Sequence, residues 1–112
     1  MMDCIFCKIA KKEIPSSAVL ENDSLIAIKD INPQAPVHVL IIPKKHYTTL
    51  LDCKDKALFG DMLSAANEIA KKTGVHEKGF RVAINTNHEG GQTVLHLHMH
   101  LLAGRPLSGI LG

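Results

Sequence analysis

The chain has 112 residues, 46% of them hydrophobic and 21% charged, with a formal net charge of +2. This length suits one domain, residues 1–112, with a core that needs no disulfide staples, and the composition excludes a disordered chain. The small charge is scattered over solvated pairs (Lys11-Lys12, Lys44-Lys45, Lys71-Lys72), which argues against nucleic acid or an anionic membrane as partner.

The N-terminus, MMDCIFCKIAKKE, has neither the basic nor the apolar region of a secretory signal, and no run approaches the ~20 apolar residues of a membrane span. An odd set of cysteines, Cys4, Cys7 and Cys53, then points to a reducing cytoplasm, where Cys4-x-x-Cys7 reads as metal-binding or redox. FCKIAKKEIP predicts one or two helical turns, stopped by Pro15. AVLEND and LIAIKD are β-prone runs joined by Asn22-Asp23-Ser24, a hairpin. After a loop set by Pro33 and Pro36, VHVLIIP is apolar on both faces, the mark of a central or doubly covered strand. DKALFGDMLSAANEIAKKTG is the long helix: Leu58, Met62, Ala65 and Ile69 recur at helical spacing and Gly74 follows as the C′ residue. GFRVAIN predicts a strand, TNHEGGQT a loop and VLHLHMHLLA the last strand. This order implies an α+β domain with a largely antiparallel sheet, one face of it under the long helix.

His96, His98 and His100 alternate with Leu97, Met99 and Leu101, so on a strand they share one face. Same-face neighbours stand ~6.7 Å apart and the outer two ~13 Å. Two zinc-bound nitrogens lie within about 4 Å of each other, so all three cannot serve one ion. Two readings stay open from the residues: a metal site using adjacent members, and phosphoryl or nucleotidyl transfer. In the second, one ring, its Nδ1–H held by a carbonyl, attacks phosphorus through Nε2 while its neighbour serves the phosphate.

HLHMHLL matches the whole His-φ-His-φ-His-φ-φ signature of the histidine triad (HIT) superfamily. FCKIAKKEIP, IAIKDINPQAPVHVLIIPKKH and NTNHEGGQTVLHLHMHLLAGR resemble blocks of its Hint branch, the histidine triad nucleotide-binding proteins, over nearly the whole chain. The resemblance implies a HIT-like fold: a five-stranded sheet with one long helix and a short N-terminal helix, two such chains joining edge to edge as a homodimer. It further implies a hydrolase that binds purine nucleotides such as AMP. Such an enzyme cleaves nucleoside phosphoramidates, or related conjugates, at the α-phosphate through a nucleotidyl-histidine.

Carried over by position, the resemblance makes His98 the nucleophile, and His100 the phosphate contact that helps the leaving group. His38 supports the nucleophilic ring through the hydrogen-bond network, and the Thr93 hydroxyl and Asn85 lie near the phosphate. Asp30 holds the ribose; Ile31, Phe6 and Ile9 line the base pocket; and the backbone of Gly91, Gln92 and Thr93 lies against the phosphate. Taken singly, Asp30 and Asn85 also fit turn roles, Thr93 a strand, and Phe6 and Ile9 a core. Several bacterial-type members share the CIFCKI start and bind zinc, which here implies Cys4, Cys7, His46 and His96, a closed structural Cys₂His₂ site not needed for the chemistry. His96 would then hold structure while His98 and His100 do chemistry.

Two alternatives accompany this reading: a dinucleoside polyphosphate hydrolase of the Fhit type, and a non-catalytic nucleotide- or zinc-binding regulator. The transferase branch carries Pro where Leu97 stands, and the DNA-repair branch carries an added basic or zinc-finger segment. His76 and His88 are expected exposed and Cys53 buried or inert. The tail PLSGILG has no aromatic or histidine, so substrate preference does not carry over.

Overall fold

The computed structural model describes residues 4–111; residues 1–3 and 112, counted in the expected domain, lie outside the described residues. Helix α1 (Ile5–Ala10) leads into strands β1 (Ala18–Glu21), β2 (Leu25–Lys29) and β3 (Val37–Pro43). A short 3-10 turn (Leu50–Asp52) precedes α2 (Lys56–Lys72), β4 (Phe80–Ala83) and β5 (Met99–Ala103). The strands form one sheet in the order β1-β2-β3-β5-β4 with every neighbouring pair antiparallel, the α+β arrangement expected.

Local chemistry explains the punctuation. The Asn22 Oδ1 accepts from the Ser24 and Leu25 amides at 2.8 and 2.9 Å, closing the β1–β2 hairpin. Asp55 caps α2 by accepting from the Leu58 amide at 3.1 Å. At its other end Gly74 (φ +78°) takes the left-handed conformation, with Gly74 N–H on the Lys71 carbonyl and Val75 N–H on that of Ala70.

Strand alternation sorts the core into two layers. Leu25, Ala27, Val39, Ile41, Met99 and Leu101 pack with Leu58, Met62, Ala66 and Ile69 of α2. Ile26, Ile28, Leu40 and Ile42 pack on the other face with Phe6 and Ile9 of α1. β3 is therefore central and covered on both faces, as its apolar run implied. Among the described residues no helix is long and apolar enough to cross a membrane.

The last strand is shorter than expected. It starts at Met99, so His96 and His98 precede it. β3 pairs with β5 as far as Ile41↔Met99. Two residues further along β3 stands Pro43, which has no N–H to continue a ladder. Its carbonyl instead accepts from the His96 ring at 2.8 Å, and the Leu97 N–H goes to the Tyr47 carbonyl at 2.6 Å. The alternation of faces survives: Leu97 lies in the α2-side core, while Phe6 packs against the His96 and His98 rings on the α1 side.

Candidate active site and metal centre

Hydrogen bonds set the tautomers of the three histidines nearest the sheet's α1 face. His98 Nδ1–H donates to the His96 carbonyl at 2.7 Å, which leaves the Nε2 lone pair free. The Gln34 amide donates to His38 Nδ1 at 3.0 Å, so the neutral His38 ring carries its proton on Nε2. That Nε2–H donates to His100 Nδ1 at 2.9 Å, with Asp30 Oδ2 further off at 3.4 Å. His100 Nδ1 being an acceptor, its proton sits on Nε2. The His98 and His100 ring centres are 5.0 Å apart, closer than the strand spacing implied. One ring thus offers a lone pair and its neighbour an N–H.

Burial keeps these rings neutral. Desolvation is the main cause for each, pushing His38 and His98 below the ordinary histidine range and His100 down to about 4. The neighbouring His98 and His38 lower His100 further, and Asp30 opposes the shift in all three.

A second cluster closes the other end of the histidine row. His46 Nδ1 lies 3.0 Å from His96 Nδ1 and 3.3 Å from Cys7 Sγ. His96 Nδ1 lies 3.2 Å from Cys4 Sγ and 3.6 Å from Cys7 Sγ. A tetrahedral zinc with these ligand types has ligand–ligand edges of about 3.3–3.8 Å, so the four donors fit such an ion with small adjustment. His96 donates Nε2–H to the Pro43 carbonyl, which turns its Nδ1 lone pair toward the cluster, the outer-shell bond a metal-ligating histidine needs. Cys4 caps α1 and Cys7 lies one turn on, so the helix itself sets the cysteine spacing.

A groove of about 560 Å³ runs beside α1, lined by Ile5, Ile9, Ile28, Asp30 and Ile31 among others. A second, of about 490 Å³, is lined by His38, His100, Arg81, Asn85, Ile110 and others.

A family model described as the HIT domain matches residues 11–107. The chain belongs to the HIT family. A curated relative, the purine nucleoside phosphoramidase of Escherichia coli K12, is 46% identical over 111 residues, 97% of this chain and 93% of that protein. A HIT family hydrolase from Legionella pneumophila superposes with a TM-score of 0.95 at 46% identity, covering 98% of this chain and 100% of that one. A zinc-bound histidine triad family protein from Mycobacterium smegmatis gives a TM-score of 0.82 at 34% identity, covering 93% and 76% respectively.

Of the expected HIT residues, the structure brings together His38, His98, His100 and Asp30, and separately Cys4, Cys7, His46 and His96. His38 bonds to the His100 ring, whose centre lies 5.0 Å from that of His98, while the His96 carbonyl holds His98 directly. Phe6 is buried with its ring near-perpendicular to that of His98, 5.0 Å between centres, and is not among the residues lining the groove that Ile9 and Ile31 share. Ile31 stands 99% exposed at that groove's lip. Asp30 also has its turn role, its Oδ1 accepting from the Asn32 amide. Asn85 ties its loop through the Gly90 carbonyl at 2.7 Å and Thr93 is exposed. The Gly91 and Gln92 amides donate to the His88 and Asn87 carbonyls, so they serve the turn rather than lying free as phosphate donors. Gln92 anchors the loop, its side-chain amide donating to the Thr48 and Val94 carbonyls. As expected, His76 and His88 are exposed and Cys53 is buried. Sequence reasoning passed over Gln34, whose contribution is a backbone amide, and Arg81, which lines the second groove from β4. Gln34 leaves no signal in residue type, and Arg81 is one of 13 Lys and Arg residues that nothing in its spacing singles out.

Proposed function

We propose that this chain hydrolyses purine nucleoside phosphoramidates, or closely related nucleotide conjugates, at the α-phosphate. The observation that carries the reading is His98 Nδ1–H fixed on the His96 carbonyl, beside a His100 that bears its proton on Nε2. The His98 Nε2 lone pair forms a bond to phosphorus as the phosphorus–nitrogen bond of the substrate breaks. His100 Nε2–H passes its proton to the leaving amine, and the negative charge this puts on the His100 ring is offset by the positive charge of the nucleotidyl-His98 ring beside it, which keeps its Nδ1–H. Water then attacks the nucleotidyl-His98, giving its proton to the now unprotonated His100 Nε2. A nucleoside monophosphate such as AMP leaves and both rings return to their starting tautomers. Asp30 faces the ribose, Ile9 and Ile31 the base, and Thr93 and Asn85 the phosphate; Phe6 acts from beneath, on the nucleophile's ring. The E. coli relative, named a purine nucleoside phosphoramidase, supports the substrate class.

Cys4, Cys7, His46 and His96 would hold zinc, a reading supported by the donor geometry and by the zinc-bound M. smegmatis neighbour. Bound there, zinc supplies structure: it ties α1 to the residue whose carbonyl holds His98. A homodimer is supported by the free outer edge of β4 and by the apolar groove beside it, lined by Phe59, Met62, Leu63, Val82 and Ile84 among others.

The test is a rapid-quench single turnover with an adenosine phosphoramidate, followed by peptide mass mapping of wild type, His98→Ala and His100→Ala. A nucleotidyl adduct on His98, absent from His98→Ala, is the expected result. A folded, AMP-binding wild-type protein with no adduct and no product refutes the hydrolase and leaves a binding module.

A further inference from the structure

The proton position on His100 is decided at a distance. The Gln34 amide makes His38 Nδ1 an acceptor, which places the His38 proton on Nε2, which makes His100 Nδ1 an acceptor in turn. One backbone N–H therefore chooses which nitrogen of His100 faces substrate as a donor. The amide belongs to the loop at residues 30–36, and that loop is gripped from outside by the chain leaving β5, the strand that carries His100. Gly104 (φ +100°) lies so close that an added Cβ would come within 2.7 Å of Pro36 Cβ and 3.3 Å of the Val37 nitrogen. Arg105 then folds over the loop, its Nη2 donating to the Gln34 carbonyl at 2.9 Å and its Nη1 to the Pro106 carbonyl at 3.0 Å. The guanidinium fork bridges two carbonyls at once, which a lysine head on a flexible stem does not reproduce.

We propose that Arg105 is a positioning residue for His100: by holding the Gln34 carbonyl it keeps the Gln34 amide on His38, and through His38 keeps the His100 proton on Nε2. The inference rests on the reading of His100 as the proton carrier, and it adds a residue far from the phosphate to that reaction. Arg105 is exposed, so its removal leaves the core untouched.

The test compares wild type, Arg105→Ala, Arg105→Lys and Gly104→Ala. Long-range ¹H–¹⁵N NMR of histidine-labelled protein reads the His100 tautomer, and kcat and KM are measured with an amine leaving group and with a good, low-pKa one. Arg105→Ala is expected to show an Nδ1–H population on His100. It should also lose roughly fivefold in kcat for the amine substrate, the weight of one ordinary hydrogen bond, with KM and the good leaving group little changed. Arg105→Lys should recover less than half of that loss, and Gly104→Ala should shift the tautomer the same way. A wild-type tautomer in Arg105→Ala overturns the tether whatever the turnover, as does an equal loss on both leaving groups. A tautomer shift in a protein whose wild type never turns over keeps the tether and removes the hydrolase reading.

Discussion

Stripping the zinc proposed for Cys4, Cys7, His46 and His96 should release α1 and switch off His98 while the rest of the sheet stands. The helix has six residues, well below the length at which an isolated helix is stable in water. Ordering six backbone residues costs about 9 kcal/mol at ~1.5 each. Burying Phe6 and Ile9, each 6% exposed, returns about 4–5 kcal/mol. Helix hydrogen bonds such as Lys8 N–H to the Cys4 carbonyl return about 1 kcal/mol apiece. With the bonds from Lys8 to Cys4, Lys11 to Cys7, Lys12 to Ile9 and Glu13 to Lys8 counted, gain and cost come out about equal, so α1 is marginal by itself and a metal tying Cys4 and Cys7 to His46 and His96 would decide whether it stays docked. Residues 94–98 depend on the same tie, since they lie outside the sheet ladder and His96 among them is one of the four donors. The assay is hydrogen exchange followed by mass spectrometry, on zinc-loaded protein, on chelated protein and on Cys7→Ser. Amides of α1 and of residues 94–98 should lose protection while those of β3 and α2 keep it. His98 labelling by the phosphoramidate should fall at least tenfold and return on adding zinc to the chelated wild type. Protection of α1 that survives metal removal, or loss of protection spread evenly over α2 and β3, would refute the reasoning.

His38→Phe keeps an aromatic ring but strips His100 Nδ1 of its donor and orphans the Gln34 amide. Thermal melts should show a loss of about 2 kcal/mol. The drop in kcat should be roughly 10–100-fold on an amine leaving group and much smaller on a good one; equal losses would contradict the assignment of His100 as proton donor. Below the ordinary histidine pKa the unfolded chain binds a proton that native His100, held at about 4, does not. Stability therefore falls as pH drops from about 6.5 toward 4 and is level above 7, by at most ~3 kcal/mol for this ring and less with solvent screening. His100→Gln should flatten that part of the slope in denaturant titrations across pH, and an unchanged slope would count against the buried neutral ring. Val82→Asp or Leu63→Glu should shift sedimentation to a monomer if β4 and its groove join two copies, whereas wild type that already sediments as a monomer would exclude the dimer.

Much of this was legible in the chain itself. Hydrophobic alternation placed the strands, helical spacing and Gly74 placed α2, and the three imidazoles at every second position marked the site. Those signals are local: backbone geometry turns residue order directly into faces, caps and turns. The sequence also paired Cys4 and Cys7 with His46 and His96, but through family resemblance rather than spacing, because these ligands are brought together from residues up to 92 apart. Tertiary structure alone decided where β5 begins, since that turns on what Pro43 can offer a neighbouring strand. It alone showed that His38 bonds to the His100 ring and that Phe6 packs against the ring of His98. Proton positions belong wholly to this level: a tautomer is fixed by the partner of the other ring nitrogen, and for His100 that chain of partners ends at a backbone amide, which every residue but proline carries.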